Sequence, residues 1–150
     1  MTVLVWVAEG TWHASVDAAR SIAPGDAAIT LLYVAPPDVA DAAHGAYVGL
    51  LGRHQHGRDP GPHVADLAAT RAGELLEAAA RRLARPCSRV QRRGPAEREV
   101  VAAAAGADLL IVARDGDQTR PGPKSLGKAT RFVVDHAPCP VLLIWPVPAG

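Results

Sequence analysis

Cysteine is nearly absent from this 150-residue chain, which has only Cys87 and Cys139, in no metal-type spacing and with no other thiols to join. That argues against a disulfide framework or a thiolate zinc centre, and a reduced, cytoplasmic setting is the simplest expectation. Aromatic residues are scarce at 4%, and none interleaves with the arginine-rich stretch, which weakens a case for RNA binding. Long apolar runs are missing as well. None approaches the ~20 residues of a membrane-spanning helix, and the opening MTVLVWVAEG is too short and lacks the basic flank of a signal peptide. Neither sign of charge dominates: 16 Lys and Arg against 15 Asp and Glu leave a formal +1, so no general polyanion partner is implied.

What is present suits a globular domain. Hydrophobic residues make up 49% and charged residues 21%, and the length fits one domain over 1–150. Val3 to Ala8 is an almost continuous apolar run, as expected of a central parallel strand covered on both faces. Glu9, Gly10 and Thr11 make a turn, and a helix from Trp12 to Ala23 follows until Pro24 and Gly25 stop it. Ile29 to Ala35 is a second buried strand. Residues 38–62, rich in Gly and Pro, have no regular pattern, and loops of that length are usually functional or mobile. His63 to Arg85 shows amphipathic helical spacing. A weak strand at Ser88 to Gln91 precedes a helix from Pro95 to about Ala105. Leu109 to Ala113 and Val141 to Trp145 are strands around a helix from about Ser125 to His136. Five strands alternating with four helices predict an open parallel sheet with helices on both faces, an α/β doubly wound fold.

The most informative stretch runs from Asp108 to Trp145: strand, glycine-bearing loop, helix, strand. A loop leaving the carboxyl end of a parallel strand and feeding a helix is a place where phosphates are held. The free amides of the helix start and the positive end of its dipole both favour an anion there. Gly116 and Gly127 bracket this loop, and Lys128 stands in the first helical turn.

With HAPCPV at His136 to Val141 leading into the last strand, GPAEREVVAAAAGADLLIVA before it and VLVWVAEGT at the start, the chain resembles the universal stress protein family over essentially its whole length. The resemblance implies strand order 3-2-1-4-5, a homodimer paired through the last strand and, in one branch, ATP bound through a glycine motif. That motif is glycine, two residues, glycine, nine residues, then glycine and a hydroxyl residue. Ala113 falls at its first glycine, Gly116 at its second and Gly127 at its third; ten residues rather than nine separate the last two, and Lys128 replaces the hydroxyl. The added methyl and the extra residue are small changes for a flexible loop. Lys128 supplies a cation in place of a donor, while Pro121 and Pro123 stiffen the loop and remove two backbone donors. Three outcomes stay open: a site for ATP or a related adenine nucleotide, a site for another anion, or an empty crevice.

If the family's site is retained, the resemblance implies backbone near Val34 against the adenine, and Val112 and Ala113 beside the ribose. Gly116, Gly127, Lys128 and Ala129 would receive phosphates. The family's first-strand acid falls on Ala8, or on Glu9 with Gly10 and Thr11 after a slip of one residue, which would turn a side chain to the opposite face. The expected function is an adenine-nucleotide sensor or switch in a stress response. The alternative is a non-nucleotide, dimeric interaction module of the same family.

Smaller signals have ordinary readings. His54 and His56, with His44 or His63, make a weak metal set and fit a solvated loop better. Arg81, Arg82, Arg85, Arg89, Arg92 and Arg93 fit a solvated face, in part because a helix end favours cations. Trp12 is expected to pack the helix start rather than cover a ligand, and Cys139 to be structural. No Walker lysine, serine elbow or zinc helix is found, so no enzyme is expected.

Overall fold

The computed structural model describes residues 1–37, 60–117, 119 and 122–146, with 60–65 as backbone alone. The elements are β1 (Thr2–Trp6), α1 (Trp12–Ile22), β2 (Ala28–Ala35), α2 (Pro60–Leu83), β3 (Ser88–Arg93), α3 (Ala96–Ala103), β4 (Leu109–Ala113), α4 (Lys128–His136) and β5 (Val141–Ile144). The five strands form one parallel sheet in the order β3-β2-β1-β4-β5. Val3 lies beside Ile29 on one flank and Leu109 on the other, which fixes the register of the three central strands.

The two-residue period of a strand sorts the apolar residues into two cores. Val3, Val5, Ile29, Leu31, Tyr33 and Ile111 face α1 and α2, meeting Val16, Ala19, Leu76 and Leu83. Leu4, Trp6, Leu32, Val34, Leu110 and Val112 face α3 and α4, meeting Val100, Ala104 and Val133. Each fully buried Leu or Ile contributes about 2 kcal/mol of apolar burial, which is why near-continuous apolar runs become central strands.

Several polar contacts join α1 to the end of α2. Arg82 donates to both carboxylate oxygens of Asp17 at 2.8 and 2.7 Å. Arg85 donates to the carbonyls of Ala23 (2.8 Å) and Pro24, groups that the end of α1 leaves without intrahelical partners. Two of the arginines expected on a solvated face thus also join helices, and Arg92 lies 3.5 Å from Glu99.

The boundaries expected from sequence shift at several points. Helix α2 begins at Pro60 instead of His63, because proline suits a first turn whose amides lack intrahelical acceptors. It ends at Leu83 instead of Arg85, where Ala84 turns left-handed at φ 55°. Strand β3 continues to Arg93, paired residue for residue with β2. Helix α4 begins at Lys128, since Pro123–Ser125 form a separate 3-10 turn. Strand β1 ends at Trp6. Most of the irregular 38–62 segment, with His44, His54 and His56, and the side chain of His63 lie outside the described residues, as does Pro121.

Candidate functional site

In the strand order 3-2-1-4-5 the chain's direction of progress across the sheet reverses between β1 and β4, and open α/β sheets hold ligands outside the carboxyl ends of the strands at such a point. Two segments flank it: the turn after β1 and the 114–127 loop after β4.

On the first side, the Val7 amide still donates to the Leu32 carbonyl (2.8 Å), and the Ala8 carbonyl accepts from Thr11 (3.3 Å) and Trp12 (3.0 Å). The strand therefore turns directly into α1. Ala8 packs half-buried on the α3–α4 core, while Glu9 is exposed. Glu9 lines a cavity of about 600 Å³ with Tyr33, Ala35 and Pro36 from the end of β2, and Leu67, Thr70, Arg71 and Glu74 from α2. Burial first, and then the Glu9 carboxylate beside it, hold the Tyr33 phenol above its ordinary value of 10.0, with Arg71 opposing. An apolar wall carrying a phenol, a hydroxyl, two carboxylates and one guanidinium suits an uncharged heterocycle with hydroxyl or amine groups better than a polyanion.

On the second side the polar groups meet one another. The Gly116 amide donates to the Ser125 carbonyl at 2.9 Å and the Asp117 amide to the Lys124 carbonyl at 2.7 Å, closing the two limbs of the loop together. The Ser125 and Leu126 amides bond to Gly122 (3.0 Å) and Pro123 (3.2 Å) within the 3-10 turn. The Gly127 amide, at the N-cap of α4, donates to the Asp115 carboxylate at 2.7 Å. The sequence-based expectation of free amides in this loop is thus corrected at five positions. The physical reason is local: the spacer between the glycines accommodates a turn that satisfies its own backbone. A carboxylate from the same loop also fills the anion position that the helix dipole favours.

Both glycines permit this closure through lack of bulk. A Cβ on Gly116 would collide with the Lys124 carbonyl oxygen and lie 2.7 Å from the Ser125 carbonyl carbon. A Cβ on Gly127 would lie 2.9 Å from the Asp115 carboxylate. The Arg114 guanidinium lies 5.0 Å over the Trp145 ring and donates to the Ser125 hydroxyl, and Arg131 donates to the Pro123 carbonyl at 2.6 Å. Asp117 accepts from the hydroxyl and amide of Thr119, which hold its carboxyl below the ordinary range.

The expected site residues accordingly fall into separate groups. Glu9 lies in the cavity. Thr11 is the N-cap of α1, without a side-chain capping bond. Val34 and Val112 are buried in the α3–α4 core, and Ala113 is 7% exposed and paired with Ile144. Gly116 and Gly127 sit in the closed loop, Lys128 is exposed at the first position of α4, and Ala129 packs half-buried behind it. Among the described residues of 112–129, none lines the 600 Å³ cavity.

Sequence reasoning missed Tyr33, Arg71, Glu74 and Asp115. Leu67, Arg71 and Glu74 recur at helical spacing on one stripe of α2, a signal available in the sequence once α2 is set against the end of β2. Trp12 packs half-buried on the α1–α2 core and stacks with His13 at 3.7 Å, as a helix-start packing residue does. Burial first, and then Asp108, push the Cys139 thiol up, away from a reactive thiolate. Among the described residues no group of three potential metal ligands gathers, and no helix is long and apolar enough to cross a membrane.

The fold has many solved counterparts. Protein MJ0577 superposes with a TM-score of 0.73 at 15% identity, over 99% of this chain and 97% of that one. A universal stress protein in complex with cAMP gives 0.63 at 18%, over 97% and 96%. An Arabidopsis thaliana protein of the universal stress family with AMP bound gives 0.63 at 17%, over 99% and 93%. At these identities the likeness is one of fold. No curated protein is matched by sequence. The sequence profile of the universal stress protein family matches residues 3–144, and this chain belongs to that family.

Proposed function

We propose that the chain is a non-catalytic sensor or switch in a stress response, binding an adenine nucleotide or nucleoside at the carboxyl edge of β1 and β2. The observation that carries this reading is the 600 Å³ cavity where Glu9 and Tyr33 converge with Arg71. Its volume falls within the usual range for small-molecule sites, and its polar groups match ring nitrogens, an exocyclic amine and ribose hydroxyls. The cAMP- and AMP-bound proteins of the same fold support the ligand class. Binding would order the segments that border the cavity and so change the surface a partner meets.

Calorimetry with adenosine, AMP, ADP and ATP tests this reading. At least one should bind, and Glu9→Gln should weaken the complex about tenfold by removing a charged hydrogen-bond acceptor, leaving thermal stability unchanged. Absence of heat and of thermal shift with all four at millimolar concentration sinks the proposal.

The engaged amides of the 114–127 loop favour a second reading, in which the domain is a cytoplasmic interaction module that pairs with a second copy. In the described residues β5 pairs only with β4, and its run Val141–Ile144 is apolar and half-buried throughout. An apolar edge of this kind is a template for strand pairing.

A further inference from the structure

We propose that Asp115 is a specificity-determining residue: it is a built-in occupant of the anion position at the head of α4, so that the crevice takes nucleosides or monophosphates and turns away di- and triphosphates. This rests on the adenine reading of the crevice, although the gating itself is a property of the loop. A phosphate arriving at α4 meets the Gly127 amide already bonded to Asp115 at 2.7 Å. That bond is charge-assisted and intramolecular, so an incoming anion must break it and also face the displaced carboxylate. The shape of the site is consistent with this occupant, because any side chain at Gly127 would press on the carboxylate.

Apart from the exposed Lys128 at the first position of α4, the neighbouring groups give a polyphosphate little compensation. The Gly116 and Asp117 amides are bonded across the loop. Arg114 is turned onto Trp145 and Ser125, and Arg131 onto the Pro123 carbonyl. Asp117, one residue past Gly116, adds a second negative charge to the same loop. Among the described residues lining the cavity, Glu9 and Glu74 stand against Arg71.

The test pairs an adenine-independent probe with the adenine series. Sodium tripolyphosphate is titrated into the native protein, Asp115→Asn and Asp115→Ala, following the Gly127 amide by NMR, while calorimetry compares adenosine, AMP and ATP. Asp115→Ala should bind tripolyphosphate at least about tenfold more tightly than the native protein. Asp115→Asn, which keeps an oxygen acceptor but loses the charge, should fall between them and carries the comparison should the alanine variant not fold. Adenosine affinity should stay within about twofold while ATP gains. A tripolyphosphate affinity indifferent to residue 115, or native ATP binding as tight as adenosine binding, overturns the proposal. A gain for tripolyphosphate with no adenine ligand bound by any variant upholds the gating and rejects the adenine reading. Adenosine binding with neither anion responding does the reverse.

Discussion

On the β1–β2 side of the crevice, polar side chains line a cavity. On the β4 side, they point at one another. Glu9 and Arg71 border a cavity of about 600 Å³, whereas Arg114, Asp115 and Ser125 all have partners within or beside their own loop. Both sides derive from the same βα architecture, in which helix starts and strand ends leave unpaired groups by necessity. The difference lies in partnering within the loop: the β4 side satisfies its own backbone, and the β1–β2 side borders a cavity.

The strongest way to break that contrast is to prevent the loop from closing. Gly116→Ala places a methyl against the Lys124 and Ser125 backbone, where neither neighbour can yield without unzipping the limbs. The expected cost is about 3 kcal/mol in chemical denaturation. Gly25→Ala, where an added methyl meets nothing within 4 Å, should stay within about 0.5 kcal/mol. Equal losses at the two positions would mean that closure of the loop is not what makes Gly116 special.

A second test addresses the outer edge of the closed side. If β5 pairs with its copy, Leu143→Asp should weaken self-association by about thirtyfold, read by sedimentation across a concentration series. A native protein that sediments as a monomer throughout removes the pairing proposal.

The smallest effect concerns the wall of the open side. Arg82 fastens α2 to α1 through Asp17, and its guanidinium holds the Asp17 carboxyl below the ordinary 3.8 despite some opposing burial. A depressed carboxyl pKa stabilises the fold above its unfolded value, and that stabilisation disappears as pH falls through the folded value. Arg82→Ala should therefore melt slightly lower than the native protein at neutral pH, and the gap should close on acidification into that range. A gap that persists under strong acid would assign the effect to lost packing instead.

Much of the fold was legible because burial imposes a pattern on sequence. Val3 to Ala8 and Leu109 to Ala113 read as central strands covered on both faces, and the register makes β1 and β4 neighbours. Strand β3 was read short because, as an edge with alternating exposure, SRVQRR carries hardly any apolar signal; its pairing with β2 determines its length. The site was harder to read. Glycine spacing showed where a phosphate loop would lie, but whether its amides were free depended on a bond between Asp115 and Gly127, which no local propensity encodes. The same holds for the cavity: Tyr33 and Glu74 are far apart in the chain, and only the docking of α2 on β2 makes them neighbours.

The position of Arg114 has a practical consequence. Its guanidinium lies over the Trp145 indole, which is 40% exposed, whereas Trp6 is buried and Trp12 is packed into the other core. Any event that parts the 114–127 loop withdraws a cation from one ring and leaves the other two in place. Intrinsic fluorescence thus gives the protein its own optical readout of whether that loop is latched.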